Sequence, residues 1–244
     1  MTGNPILTQK TFTEVGRTTP DQAMTVQGTV NKTAVLLALV SISATYTWHL
    51  GEKDGGASAG MWIAGGAIGG FIFALITAFK KEWAVVTAPI YAVLEGLFIG
   101  GISSLLDQKA PGIAIQAVLL TFGTLAALLG AYTTGLIRVS DGFRRGLFAA
   151  TGGIAILYLV SMGLGFFHIQ IPFIFGSGPI GIIFSLVVVV IAAMNLVVDF
   201  DFIETSARQG APKYLEWYAA FGLMVTLIWL YLEILRLLAK LNRR

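Results

Sequence analysis

The sequence predicts an all-α integral membrane protein with seven transmembrane helices. Only 12% of its 244 residues are charged and 56% are hydrophobic, where an ordinary soluble domain is about 25% charged. Apolar runs of the length a helix needs to cross a hydrocarbon core about 30 Å thick recur along the chain. Charges and turn-forming residues collect in the short breaks between the runs. That pattern leaves no room for a soluble domain.

Residues 1–32 are rich in Thr, Gln and Asn without a sustained apolar period, and read as a polar, mostly irregular cytoplasmic tail. The tail lacks the basic start and early apolar core of a cleavable signal peptide. Residues 33–244 form the seven-helix domain. Its spans are expected at about Thr33 to Leu50, Ala59 to Phe79, Ala84 to Leu106, Gly112 to Ile137, Gly146 to Phe167, Pro179 to Val198 and Leu215 to Leu238. The breaks are Gly51 to Gly56, Lys80 to Glu82, Asp107 to Gly112, Arg138 to Arg145 and Ile171 to Pro179, each carrying charges, Gly or Pro.

Lys and Arg in short loops set the orientation. With the amino terminus in the cytoplasm, the inside segments hold Arg17, Lys32, Lys80, Lys81, Arg138, Arg144, Arg145, Arg208 and Lys213, against Lys53 and Lys109 outside. Seven spans then put Lys240, Arg243 and Arg244 outside. Either that tail is tolerated there, or one span is re-entrant and both termini are cytoplasmic. The net charge of +3 is accounted for by these loops, so nucleic-acid binding is not expected.

Gly65 to Gly70 in span two, and Gly96 with Gly100 in span three, are small-xxx-small patterns that let helix backbones approach closely. Pro89 is placed to kink span three six residues before Glu95.

Three places break the apolar rule: Glu95, the Asp199 to Glu204 stretch at the end of span six, and Glu233 with Arg236 in span seven. An acidic group at mid-bilayer costs about 2.5 to 3.5 kcal/mol on insertion scales, and is by default a functional candidate. From the cytoplasmic surface Glu95 lies roughly 16 Å deep and Glu233 roughly 21 Å, so the two are expected to be able to meet. Asp199 and Asp201 sit near the cytoplasmic mouth, pointing about 200° apart. Asp201 shares a face with Glu204 and Thr205, and Asp199 with Asn195. Arg236 stands at the spacing for an intrahelical ion pair with Glu233.

Other chemistries find no support. His49 and His168 stand at span ends without a His or Cys at ligand spacing, and there is no Cys at all. The Gly101 to Ser104 stretch lacks the second Gly of a nucleophile elbow. Span seven has no Lys before Lys240 to carry a retinal Schiff base, and no phosphate-binding glycine loop occurs. Trp48, Trp62, Trp83 and Trp217 read as interfacial anchors. No enzyme and no resident cofactor are expected.

The segments Met24 to Val40, Ala88 to Ser103, Val197 to Glu204 and Trp229 to Leu238 resemble the Bax inhibitor family, in particular its bacterial branch with a longer amino-terminal tail. The resemblance covers nearly the whole chain. It implies six helices around a central seventh, a bacterial plasma membrane, and a calcium leak gated by protonation of two aspartates, one ending span six and one in span seven. Asp201 matches the first, with Asp199 an extra carboxylate. The second is matched by Glu233 or by Thr226, depending on whether Leu230 to Glu233 or Arg236 to Leu238 anchors the comparison. A vertical series from Asp201 through Glu95 to Glu233 is the expected ion path.

The expected function is a pH-sensitive leak for a cation, calcium foremost, since hard oxygen ligands suit it. Protons and sodium fit the same chemistry. The rival reading is a non-conducting protein that modulates a membrane protease or a cell-death partner through its glycine-faced spans.

Overall fold

The computed structural model describes residues 23–57, 59–167 and 176–242. Within them lie α1 (Val26–Lys53), α2 (Ala59–Phe79), a 3-10 turn (Lys81–Trp83), α3 (Ala84–Asp107), α4 (Ile113–Thr133), α5 (Asp141–Phe166), α6 (Pro179–Arg208) and α7 (Leu215–Leu241). Among the described residues seven helices are long and apolar enough to cross a membrane. Ile42, Phe71, Leu119, Ile156 and Ile183 stand exposed on them, an outward apolar surface that belongs against lipid. The apolar window of α7 is 67% buried, against 17–44% in the other spans, so the last helix is the most enclosed.

Several boundaries differ from the sequence reading: α5 starts at Asp141, so Asp141 to Arg145, expected in a break, is helical, and two further differences are instructive. Helix α1 starts at Val26, so residues 26–32, expected in the tail, are helical. Thr25 is its N-cap in extended geometry, accepting from the Gly28 amide at 2.9 Å. The hydroxyls of Thr29 and Thr33 donate to carbonyls one turn back, which removes the cost of placing them in a helix. Helix α6 runs on to Arg208, ten residues beyond the expected Val198, so the acidic stretch lies within a helix rather than at its end. The irregular reading of the earlier tail, His168, Arg243 and Arg244 fall outside the described residues.

The described chain divides into two compact units. The first takes in the residues up to Ala114 together with Phe202–Val225. Here α1 and α2 both pack on α3. The buried positions of α1, from Thr29 through Leu36, Val40, Ser43 and Thr47 to Gly51, recur every three or four residues and form one face. A Cβ on Gly96 would collide with Ser43 and the Val40 carbonyl, and one on Gly100 with Thr47 and the Ala44 carbonyl. Both glycines therefore let the α1 and α3 backbones touch. On α2, Gly66 meets the Leu94 carbonyl and Phe98, and Gly70 meets Glu95, whereas Gly65 faces open space. Thr77 of α2 donates to Thr87 of α3 at 2.7 Å. Pro89 is accommodated inside an α3 assigned as helix from end to end.

The second unit comprises Ile115–Asp201 and the chain from Thr226 onward, that is α4, α5, most of α6 and the later part of α7. Ser140 caps α5 by accepting from the Phe143 amide at 3.2 Å. Lys240 is only 4% exposed: its ammonium donates to the Gly181 carbonyl at 2.9 Å and to Ser185 at 2.8 Å. A charge that the sequence reading placed in the outside carboxyl terminus thus ties α7 to the start of α6.

Candidate functional site

Asp199 lies on the face of α6 that turns inward in the second unit, 0% exposed, with Ala192, Asn195 and Leu196 buried beside it. Thr226 of α7, 3% exposed, donates its hydroxyl to Asp199 Oδ2 at 2.6 Å. That bond joins α6 to α7 between two buried side chains. The sequence left open which residue of span seven faces the acidic end of span six; Thr226 does so. The carboxylate it meets is Asp199, not Asp201, and Asp199 is buried rather than at a solvated mouth.

Asp201, two residues on, points elsewhere because the helix persists. Arg144, near the start of α5, forms an ion pair with it, with side-chain exposures of 13% and 21%. Arg144 also approaches Asp141 at 4.0 Å. Glu204 pairs with Arg208 one turn on at 2.5 Å, a half-exposed contact on the helix surface. Neighbours in sequence are therefore assigned to different tasks: Asp199 is enclosed with a neutral donor, Asp201 is neutralised by a cation, and Glu204 makes a surface pair.

One turn before Asp199 on the same face, Asn195 donates from Nδ2 to the Ile191 carbonyl at 2.8 Å and to Thr151 of α5 at 2.9 Å. Its buried Oδ1 has no hydrogen-bond partner among the described residues. The sequence reading placed Asn195 on the Asp199 face without giving it a role; the signal was an amide inside an otherwise apolar stretch.

Glu233 sits further along α7, 1% exposed. Both of its oxygens accept from Arg236 Nη1, at 2.9 and 3.0 Å, and from the Tyr158 hydroxyl, at 3.0 and 3.1 Å. Trp229 Nε1 adds a contact at 3.3 Å. The Arg236 guanidinium also lies over the Tyr158 ring, 4.8 Å from its centroid, a cation–π arrangement. The intrahelical pair expected from spacing forms, and Tyr158, 75 residues away, completes it. With its charge matched and three donor groups on its oxygens, Glu233 ties α7 to α5.

Glu95 belongs to the first unit, where its half-buried side chain packs against Gly70 of α2. Among the described residues no group of three or more His, Cys, Asp or Glu is arranged to hold a metal ion. The chemistry these residues offer is a buried anionic oxygen with neutral oxygens around it, which fits transient contact with a hard cation or a proton.

A family model described as Bax inhibitor 1 like matches residues 4–243. No curated protein and no solved structure matches the chain.

Proposed function

Because the chain belongs to the Bax inhibitor 1-like family, we propose that it is a pH-sensitive cation leak, carrying calcium foremost, whose gate is the Asp199 carboxylate. The observation that carries this reading is the enclosed Asp199–Thr226 contact between α6 and α7. Ionised, Asp199 is a hard anionic ligand that attracts a cation into an apolar interior. Protonated, it loses both the charge and one accepting lone pair, and the attraction disappears. Flux is thus expected to rise with pH. Arg144 cancels the charge of Asp201, which leaves Asp199 as the principal ligand of the pair. Glu233 contributes to the proposed ion path mainly through the α5–α7 contact, and Glu95 is proposed as a further carboxylate of the leak. We place the protein in a bacterial plasma membrane, as the tail form of the family resemblance implies, with its amino terminus in the cytoplasm, on the loop charges given above.

The rival, a non-conducting partner of a membrane protease or a cell-death protein, drew its support from glycine-faced spans. Gly66, Gly70, Gly96 and Gly100 are occupied in packing α1 and α2 on α3, which weakens that support.

The test is calcium entry into sealed proteoliposomes across a pH series, comparing wild type with Asp199→Asn, Asp201→Asn, Glu95→Gln and Glu233→Gln. Asp199→Asn is expected to flatten the pH response. Absence of flux above empty liposomes with folded wild-type protein would sink the leak reading and leave the interaction reading in its place.

A further inference from the structure

We propose that Asn195 Oδ1, oriented by Thr151, forms with the Asp199 carboxylate a second oxygen station for a partly dehydrated cation, one helical turn along α6 from Asp199. This inference rests on the leak reading and adds residues that it does not contain. Its starting point is the orientation of the Asn195 amide. Nδ2 faces two acceptors, the Ile191 carbonyl and the Thr151 hydroxyl oxygen. A carbonyl accepts only, so the amide nitrogen must be the atom on that side, and Oδ1 must point away from it. That oxygen is buried, and no donor among the described residues reaches it. A residue needed only to tie α5 to α6 does so with its donor. An acceptor left over in a protein interior is an exception that asks for a reason, and a hard cation is one species that an amide oxygen serves well.

The surroundings fit that use. Asn195 and Asp199 are four residues apart on one helix, so their side chains leave the same face about 6 Å apart along the axis. Thr226 of α7 brings a hydroxyl to the Asp199 level, and Thr151 of α5 fixes the Asn195 amide by accepting from its Nδ2. The nearby guanidinium of Arg144 is engaged with Asp201. The ammonium of Lys240 is held at Ser185 and Gly181, more than two turns further up α6 from Asn195. Asp199 brings the formal negative charge to these two levels, and Asn195 a neutral oxygen. That suits passage: a site must attract an ion enough to admit it and bind it weakly enough to release it. A full cage of carboxylates would trap calcium instead.

The experiment uses the full chain in two formats. One is calcium flux in proteoliposomes; the other is terbium luminescence in detergent, titrated and then competed with calcium. Asn195→Leu keeps the side-chain volume and removes the oxygen. It is expected to lower flux at least fivefold and weaken terbium binding at least threefold, while the pH midpoint of the remaining flux stays where Asp199 sets it. Thr151→Val should do the same more mildly, and Asn195→Ser, which keeps an oxygen at the position, should retain more of both signals than the Leu variant. The Ser variant also serves should Asn195→Leu fail to fold. Wild-type flux and wild-type terbium affinity in folded Asn195→Leu and Thr151→Val would overturn the station and leave the leak standing. Terbium binding that depends on Asn195 in a protein without flux would keep the station and remove the leak. A wild type that neither binds terbium nor conducts overturns both.

Discussion

Thr226 on α7 donates to the Asp199 carboxylate on α6 at 2.6 Å, with both side chains buried. A carboxylate so enclosed is tolerated only with compensation, and the Thr226 hydroxyl supplies part of it. The contact therefore couples the ionisation of Asp199 to the register between two helices.

Replacing Thr226 separates the two effects. Thr226→Val keeps shape and removes the donor, and should destabilise the protein by about 1 to 3 kcal/mol when Asp199 is ionised. The loss should shrink at low pH, where a protonated Asp199 needs less compensation. Thermal unfolding in detergent at two pH values checks this. Thr226→Asp sets two carboxylates within bonding distance. They cannot both ionise cheaply, so its flux should show a steeper pH response than wild type.

Around Glu233 the prediction concerns coupling. Arg236→Met leaves the buried carboxylate with hydrogen bonds from Tyr158 and Trp229 and the charge of Lys240. Breaking a buried pair costs about 3 to 5 kcal/mol, and the cost here should fall nearer 2 because the Arg236 side chain keeps 34% of its exposure. Glu233→Gln combined with Arg236→Met should recover most of that loss. A double-mutant cycle on unfolding free energies measures it, and additive single effects would show that the pair contributes nothing of its own.

How far the sequence could be read depends on the range of the interaction. Seven spans, the Glu233–Arg236 pair and the close packing of Gly96 and Gly100 rest on local spacing, and these were legible. The start of α1 was not, because Thr25 to Lys32 reads as polar until its partners are known. Thr29 and Thr33 spend their hydroxyls within the helix, and Lys32 spends its charge on Glu216 far along the chain. The same limit governs the site. Nothing in the Asp199 to Glu204 stretch says that Arg144 will take Asp201, or that Thr226 will take Asp199. Those pairings bridge 57 and 27 residues, and only helix packing decides them.

Glycine substitutions test the packing of the first unit with a built-in control. Gly100→Ala places a Cβ against Thr47 and the Ala44 carbonyl, which belongs to a helix and cannot move alone. The expected cost is about 1 to 3 kcal/mol, as for other overpacked cores. Gly65→Ala meets open space, so the helix propensity of Ala should leave stability unchanged or raise it by up to about 1 kcal/mol. Equal unfolding temperatures for the two variants would contradict the close α1–α3 approach.

The last prediction concerns how the chain enters α1. Glu216, at the start of α7, has its side chain 1% exposed and receives the Thr25 amide at 2.9 Å, the Thr25 hydroxyl at 3.1 Å and the Lys32 ammonium. Beside it, the Met24 amide donates to the Ala211 carbonyl at 2.6 Å, and Ala23 bridges to Pro212. A Cβ on Gly28 would strike the Glu216 carboxylate, so the glycine is what admits that carboxylate to the first turn of α1. Removing the charge with Glu216→Gln leaves Lys32 without its anion and weakens the bonds to Thr25. Gly28→Ala should displace the carboxylate outright. Both variants should raise amide hydrogen exchange at Met24, Thr25 and Thr29 by about tenfold or more, the equivalent of roughly 1.4 kcal/mol of local opening. Exchange in α5 should stay as in wild type. Unchanged protection at Met24 in either variant would mean that the Ala211 contact alone holds this segment.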